Sequence, residues 1–265
     1  MSRSFEEMPT MQNVVPGGRV TLNCPLGLTY DQLTFKLTNV TASEMKNLKV
    51  ITGSKAQWDL TDAQRVVDVN SYYGRKEKAG FVTLWFYRPE MKTEEERALT
   101  SIGTTDIPSL TVQFDLDGAV ANPAIKAYAV RRKPEPMGVI TKFREYPVTF
   151  ATSGKQDIDN IPRGARISAF HLFKGDVSFV EFEINNGTGA GKVVDWPKEL
   201  LESVQEQYGR TPLTAKATHI DMNLLGKAMQ FMPTGNLVDM RIKPTIDSSG
   251  GLTTLVEYID GYNGI

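Results

Sequence analysis

The chain has 265 residues, a formal net charge of −1 and one cysteine, Cys24. These values exclude an intrachain disulfide and a strong electrostatic attraction to nucleic acid, and 40% hydrophobic residues suffice for one large β domain or two of ordinary size. The first residues lack the apolar segment of a signal peptide, and no run approaches the ~20 apolar residues of a membrane span. We therefore expect synthesis in a cytoplasm.

The N-terminal segment, residues 1–16, is polar and rich in methionine, and it ends at Pro16-Gly17-Gly18. It has no hydrophobic periodicity, so we predict an arm that leads into a turn. The first domain is predicted to follow over residues 17–133. Apolar residues alternate with polar ones, as in half-buried strands, in segments 20–24, 33–37, 48–51, 56–60, 110–116 and 124–130.

A helix is predicted within the first domain, immediately after the segment 56–60. Thr61 and Gln64 have the spacing of a capping box, which predicts the helix start. Val66 and Val69 follow at helical spacing, and Gly74 suits the left-handed position that ends a helix. The sequence therefore predicts one helix of about three turns between two strands.

The segment 79–92 reads AGFVTLWFYRPEMK. Side chains of a strand alternate between its two faces, and here both faces are mostly apolar. We expect the core on one side and a second domain or subunit on the other, with Pro89 ending the strand. The residues assigned to this core and assembly strand are Phe81, Trp85, Phe86, Tyr87 and Arg88.

The second half repeats this plan after a charged, proline-containing boundary at residues 131–136, so the second domain is predicted over residues 134–265. Residues 185–191 are predicted to be a flexible turn, and Asp195 is predicted to begin a helix that Gly209 ends. Tyr73-Gly74-Arg75 recurs as Tyr208-Gly209-Arg210, at an offset of 135 residues (208 − 73), and a Trp/Asp pair precedes each helix. We predict an all-β protein of two tandem eight-stranded jelly rolls (a double jelly roll), each with a short helix inserted between strands, rather than a single irregular sandwich.

The sequence provides little for catalysis. His171 and His219 are the only histidines, and no serine stands on a sharp turn beside a base, so we expect no enzyme and no required cofactor. Asp115 and Asp117 lie on the same side of a strand end, a pattern that suits Ca²⁺. The alternative is a solvated strand end before the Gly118 turn.

Short segments along the chain resemble the major capsid proteins of corticoviruses from about residue 20 to the end. The run RPEMK at 88–92 is the most specific of them. The others are Ala79-Gly80, Val82, Phe86, Gly103-Thr104, Phe114-Asp115-Leu116-Asp117, Ile161-Pro162, Arg166-Ile167-Ser168-Ala169, Val180-Glu181-Phe182, Glu206-Gln207-Tyr208-Gly209 and Val256-Glu257-Tyr258. The N-terminal arm and residues 93–101 depart from the family pattern.

The resemblance implies the coat protein of a tailless icosahedral bacteriophage with an internal membrane. In that family, pseudo-hexagonal homotrimers tile the shell and calcium aids stability. The implied partners are other copies of the chain, penton, spike and membrane-associated virion proteins, and the underlying lipid membrane, with no direct contact to nucleic acid. The implied location is the virion capsid, after synthesis in the cytoplasm of a host bacterium.

Two other classes of protein fit the same fold. A jelly-roll carbohydrate-binding or receptor-binding protein would carry a shallow surface site with aromatic residues beside carboxylates. A β-sandwich enzyme acting on carbohydrates would depend on a pair of carboxylates.

Overall fold

The computed structural model describes residues 3–265, and the chain divides after Phe143 into two compact units. The strands of the first unit are β1 (Ser4–Glu7), β2 (Arg19–Cys24), β3 (Thr29–Thr38), β4 (Met45–Thr52), β5 (Lys55–Asp62), β6 (Phe81–Trp85), β7 (Leu110–Leu116) and β8 (Ala124–Arg132). Helix α1 (Gln64–Tyr72) connects β5 to β6, and α2 (Glu94–Ala98) connects β6 to β7.

Two antiparallel four-stranded sheets enclose the core of the first unit. Their orders are β1-β8-β3-β6 and β2-β7-β4-β5, the strand arrangement of a jelly roll. Alternation along β7 buries Leu110, Val112 and Phe114 while the residues between them stay partly exposed. Phe114 meets Phe35 of the other sheet edge to face, with 5.9 Å between ring centroids, so the two inner faces pack directly on each other.

The second unit repeats this arrangement, and the division between the units falls inside β9. Its strands are β9 (Ile140–Phe150), β10 (Gly154–Lys155), β11 (Arg166–Phe173), β12 (Val177–Asn185), β13 (Ala190–Pro197), β14 (Thr218–Asp221), β15 (Met232–Pro233), β16 (Asp239–Ile246) and β17 (Gly250–Asp260). The sheet orders are β9-β17-β11-β14 and β10-β16-β12-β13, with the short β15 added beside β11. Helix α3 (Lys198–Gln207) connects β13 to β14, the place that α1 takes in the first unit.

A continuous apolar cluster fills the second roll. Phe170 of β11 and Phe182 of β12 meet edge to face at 5.2 Å, and both are fully buried. The centre of this core also contains Val180 of β12, Ile242 of β16 and Val256 of β17. The prediction of two tandem eight-stranded jelly rolls, each with an inserted helix, is confirmed.

The observed boundaries differ from the predicted ones at several points. Residues 4–7, which were predicted as part of an arm, form β1 and pair with β8. The sequence did not predict this strand, because four residues are too few to show a period of two. The division after Phe143 lies ten residues beyond the predicted end of the first domain at 133 (143 − 133). None of the helices within residues 3–265 is long and apolar enough to cross a membrane.

The two inserted helices begin later than predicted. Thr61 and Asp62 still belong to β5, so α1 begins at Gln64, whose N–H is accepted by Asp62 Oδ1 at 3.0 Å. Likewise α3 begins at Lys198, because β13 continues through Pro197. The sequence did not predict β13, since its residues are mostly exposed and follow no alternation.

Both helices end in the same way, at the repeated Tyr-Gly-Arg. The glycines Gly74 and Gly209 take positive φ angles of 70° and 77°. The arginine that follows donates its N–H five residues back, from Arg75 to Asn70 O at 2.9 Å and from Arg210 to Gln205 O at 3.0 Å. These are Schellman ends, so the repeated tripeptide is the helix-terminating element of each roll.

We expect Gly209→Ala to lower the free energy of unfolding by about 1–2 kcal/mol, because an L side chain is strained at this positive φ. An added Cβ meets no atom within 4 Å, so the backbone conformation alone is tested. Gly118→Ala is the control, since its Cβ also meets nothing and its φ is not positive. Equal urea unfolding midpoints for the two variants would contradict this role of Gly209.

Candidate functional site

The predicted assembly strand is shorter than expected. It ends at Trp85 rather than at Pro89, because the N–H groups of Phe86 and Tyr87 both donate to Asp31 O, at 2.9 and 2.8 Å, and so leave the regular ladder. Phe86, Tyr87 and Arg88 are buried within the first unit, whereas Phe81 and Trp85 are half-buried. Most of this stretch therefore belongs to the core of the roll itself.

The open edge of β6 is covered by residues from the same unit. Thr83 donates its N–H to Glu77 Oε1 at 2.8 Å, and its carbonyl accepts from Asn70 Nδ2 at 2.8 Å. Asn70 lies near the end of α1, and Glu77 lies in the segment that follows it. The edge of β6 at Thr83 is therefore closed by α1 and the residues after it, and the second domain or subunit expected against the other face of this strand stays a prediction.

A buried ion network lies beside this edge. Arg75 Nη2 donates to both oxygens of Glu90, at 2.9 and 2.8 Å, and Arg88 Nε donates to Glu90 Oε1 at 2.9 Å. Arg88 also donates to the Tyr73 hydroxyl at 3.2 Å. Burial opposes ionisation of Glu90, but the charges of Arg75 and Arg88 outweigh it and hold its pKa below the usual value. Two residues of the RPEMK run are thus fixed as a charged pair inside the protein.

A second buried carboxylate, Asp31, connects β3 to three other segments of the first unit. Asp31 accepts from Arg3 Nε at 2.9 Å, from Arg132 Nε at 3.1 Å and from Ser101 Oγ at 2.8 Å. The Arg3 guanidinium also lies 4.8 Å from the centroid of the Tyr87 ring. The N-terminal residues are therefore held to the roll by charge, although the sequence suggested an arm.

The second roll covers its corresponding edge with a different set of residues. Gln205 of α3 donates its side-chain N–H to His219 O of the edge strand β14 at 2.6 Å. Arg210 Nε donates to Asp221 Oδ2 at 2.8 Å, and Arg210 Nη2 donates to Asn223 O at 2.9 Å. In both rolls, therefore, the inserted helix contributes one amide to the strand edge and the arginine after it forms a buried ion pair.

The two histidines form a buried chain with Glu257. His171 Nε2 lies 2.9 Å from Glu257 Oε1, and the two Nδ1 atoms of His171 and His219 are 2.6 Å apart. If His171 donates to the carboxylate, its Nδ1 must accept from His219 Nδ1–H, which leaves His219 Nε2 to accept the Leu213 N–H at 3.4 Å. Burial, and secondly the neighbouring His171, lower the pKa of His219 well below its usual value.

The predicted calcium residues lie at the end of β7. Asp115 accepts hydrogen bonds from Arg19 Nε at 2.8 Å and from Asn47 Nδ2 at 2.9 Å, and the bond to Arg19 lowers the pKa of Asp115. Asp117 Oδ1 accepts the Ala119 N–H at 2.9 Å within the turn that follows. Within residues 3–265 no group of three or more His, Cys, Asp or Glu is arranged to hold a metal ion. Calcium binding at Asp115 and Asp117 stays a prediction.

A surface depression in the second roll contains two carboxylates. Asp159 and Asp239 line it together with residues 160–164, Gly235, Leu237 and Met240. Asp239 is engaged by Arg241 Nε at 2.7 Å, which lowers the pKa of Asp239. The described lining contains no aromatic side chain, so this depression lacks the stacking surface that the carbohydrate-binding alternative predicts.

Two tandem jelly rolls, each with a helix inserted before an edge strand, place the chain in the double jelly-roll class. Models of known protein families match nearly the whole chain, in two parts that correspond to the two rolls. Residues 5–132 match the viral coat protein P2 N-terminal domain, and residues 140–262 match the viral coat protein P2 C-terminal domain. The chain belongs to the P2 family of viral coat proteins, which is a family of structural proteins and not of enzymes.

Individual relatives support the same assignment. The chain is 29% identical to major capsid protein P2 of Pseudoalteromonas phage PM2 over 272 residues, which cover 97% of each protein. The crystal structure of P2 from bacteriophage PM2 superposes with a TM-score of 0.93, at 28% identity and with all of both chains covered.

More distant structures share the fold alone. A chain from Sulfolobus turreted icosahedral virus has a TM-score of 0.68 at 9% identity, covering 99% of this chain and 92% of that one. A chain of the PBCV-1 virus capsid has a TM-score of 0.58 at 10% identity, covering 98% and 94%. Both comparisons extend over the two rolls.

We expect Glu90→Gln to lower the free energy of unfolding by about 3–5 kcal/mol, because it leaves two buried guanidinium groups without their anion. Denaturant unfolding at neutral pH measures the loss, with Glu95→Gln on the exposed α2 as the control. The folded-state pKa of Glu90 lies below its unfolded value of about 4.3, so its contribution is complete above that pH and is lost as pH falls through the folded pKa. The difference between wild type and Glu90→Gln should therefore shrink in acid; equal losses for the two variants at pH 7 would contradict the network.

Proposed function

We propose that this chain is the major capsid protein of a tailless icosahedral bacteriophage and that it assembles as homotrimers. The observation that carries the proposal is the P2 family match over both halves of the chain. The internal duplication supports trimers, because three chains supply six similar rolls, which approximate a hexagon around a threefold axis. Such a unit lets one gene product tile a closed surface.

The shell is proposed to cover an internal lipid membrane, with penton, spike and membrane-associated proteins as further partners. The balance of 30 Lys+Arg against 31 Asp+Glu supports this arrangement in two ways. A net charge near zero limits repulsion between crowded copies, and it gives no strong attraction to the genome on the other side of a bilayer. Synthesis in the cytoplasm of the host bacterium belongs to the same proposal.

Light scattering of the purified protein tests the oligomeric state. The expected result is a stable species near three times 29.4 kDa at micromolar concentration. Measurement over a dilution series separates a permanent trimer from a weak one, since permanent interfaces commonly bury ~2,000 Å² or more. A monomer of 29.4 kDa throughout the series would contradict the proposal.

Calcium at Asp115 and Asp117 is a further proposal, with Arg19 moving off Asp115 when the ion binds. Chelation by EGTA should then lower the melting temperature of the wild type, and Asp117→Asn should no longer respond to the chelator. Asp159→Asn is the matched control, because Asp159 lies in a loop of the second unit, away in sequence from Asp115 and Asp117. This variant should respond to EGTA as the wild type does. A wild type that melts at the same temperature with and without EGTA removes the site.

A further inference from the structure

The outer edge of β5 is covered by the first residues of β9. β9 is the neighbour of β5 in the sheet order, and its first residues, up to Phe143, belong to the first unit. Trp58 of β5 donates its indole N–H to Thr141 O at 2.9 Å and meets the Phe143 ring edge to face at 4.6 Å. Trp58 is only 1% exposed as a result. A strand carrying a phenylalanine therefore completes this edge.

The corresponding strand of the second roll is β13, and its outer edge is open. β13 ends the sheet order β10-β16-β12-β13, as β5 ends the order β2-β7-β4-β5 within the first roll. It also carries a tryptophan: Trp196 pairs with the buried Val180, as Trp58 pairs with the buried Val50. Trp196, however, is 40% exposed, and Val193 of the same strand is 43% exposed. The edge strand and its tryptophan have no cover comparable to that of Trp58 within residues 3–265.

The strand that would supply such a cover is β1. β1 opens the first roll, as β9 opens the second, and it lies at the outer end of the order β1-β8-β3-β6. Its Phe5 is 78% exposed. Phe5 and Phe143 are 138 residues apart (143 − 5), and so are Trp58 and Trp196 (196 − 58). Phe5 and Trp196 therefore stand at the positions in the repeat that correspond to Phe143 and Trp58.

We infer that β1 of a second copy of this chain adds to the open edge of β13, with Phe5 packed against Trp196. The inference rests on the proposed trimer and names the surfaces that form it. Strand addition satisfies the unpaired N–H and C=O groups of both edges and buries two exposed aromatic side chains. Because the two surfaces differ, the contact is head to tail and closes into a ring when the rotation between copies allows it.

Single substitutions at the two surfaces test the inference by light scattering. Phe5→Asp and Trp196→Asp should each give a folded monomer, because each removes one half of the contact. An equimolar mixture should form dimers of twice 29.4 kDa, since one intact Phe5 surface and one intact Trp196 surface remain in it. Met229→Asp is the control, because Met229 is an exposed apolar residue, 83% accessible, outside both strands. It should stay trimeric.

The outcomes separate this inference from the proposed function. A wild type that is monomeric would overturn both. A trimeric wild type whose Phe5→Asp variant is also trimeric would overturn the inference alone and leave the β13 edge for another partner. Most of the Phe5 side chain is exposed, so Phe5→Asp places no charge in the core of the roll. Circular dichroism verifies that Trp196→Asp is folded.

Discussion

The unpaired edge of a β-sheet is the constraint on which this structure depends. Each edge strand exposes N–H and C=O groups that will pair with whatever strand reaches them, so a protein present at high local concentration must determine what reaches each edge. Here the inserted helices do so at two edges. Asn70 and Glu77 bind the backbone of Thr83, and Gln205 binds the backbone of His219. Because these edges are taken by side chains of the same unit, they are closed to strands of other copies.

Buried charges hold these covers in place. Arg75 and Arg88 share Glu90 beside the first covered edge, and Arg210 pairs with Asp221 beside the second. A buried ion pair contributes little net stability compared with a well-packed apolar pair, but removal of one partner is costly. This asymmetry restricts which residues can stand at these positions. It gives a physical reason why Arg88 and Glu90 belong to RPEMK, the run on which the resemblance to corticovirus coat proteins most depends.

The sequence predicted the features that follow from local patterns and missed those that do not. Period-two alternation located the core strands such as β2 and β7, and the repeated Tyr-Gly-Arg located both helix ends. The strands β1 and β13 were not predicted, because edge strands that are mostly exposed need no alternation. The carboxylate partners were also missed, since Asp31 and Arg132 are 101 residues apart along the chain. The strands β10 and β15 were also not predicted, because each has only two residues. The assembly contact on the 79–92 stretch stays a prediction.

Amide hydrogen exchange tests the account most directly. It compares the assembled wild type with a monomeric form of the chain at the same pH, strand by strand. The account predicts that the Thr83 amide of β6 exchanges at the same slow rate in both forms, because the Glu77 carboxylate of the same unit accepts its N–H. The N–H groups of β13 that face away from β12 should exchange at least tenfold more slowly in the assembled protein. Equal exchange of β13 in the two forms, together with new protection of β6, would contradict it.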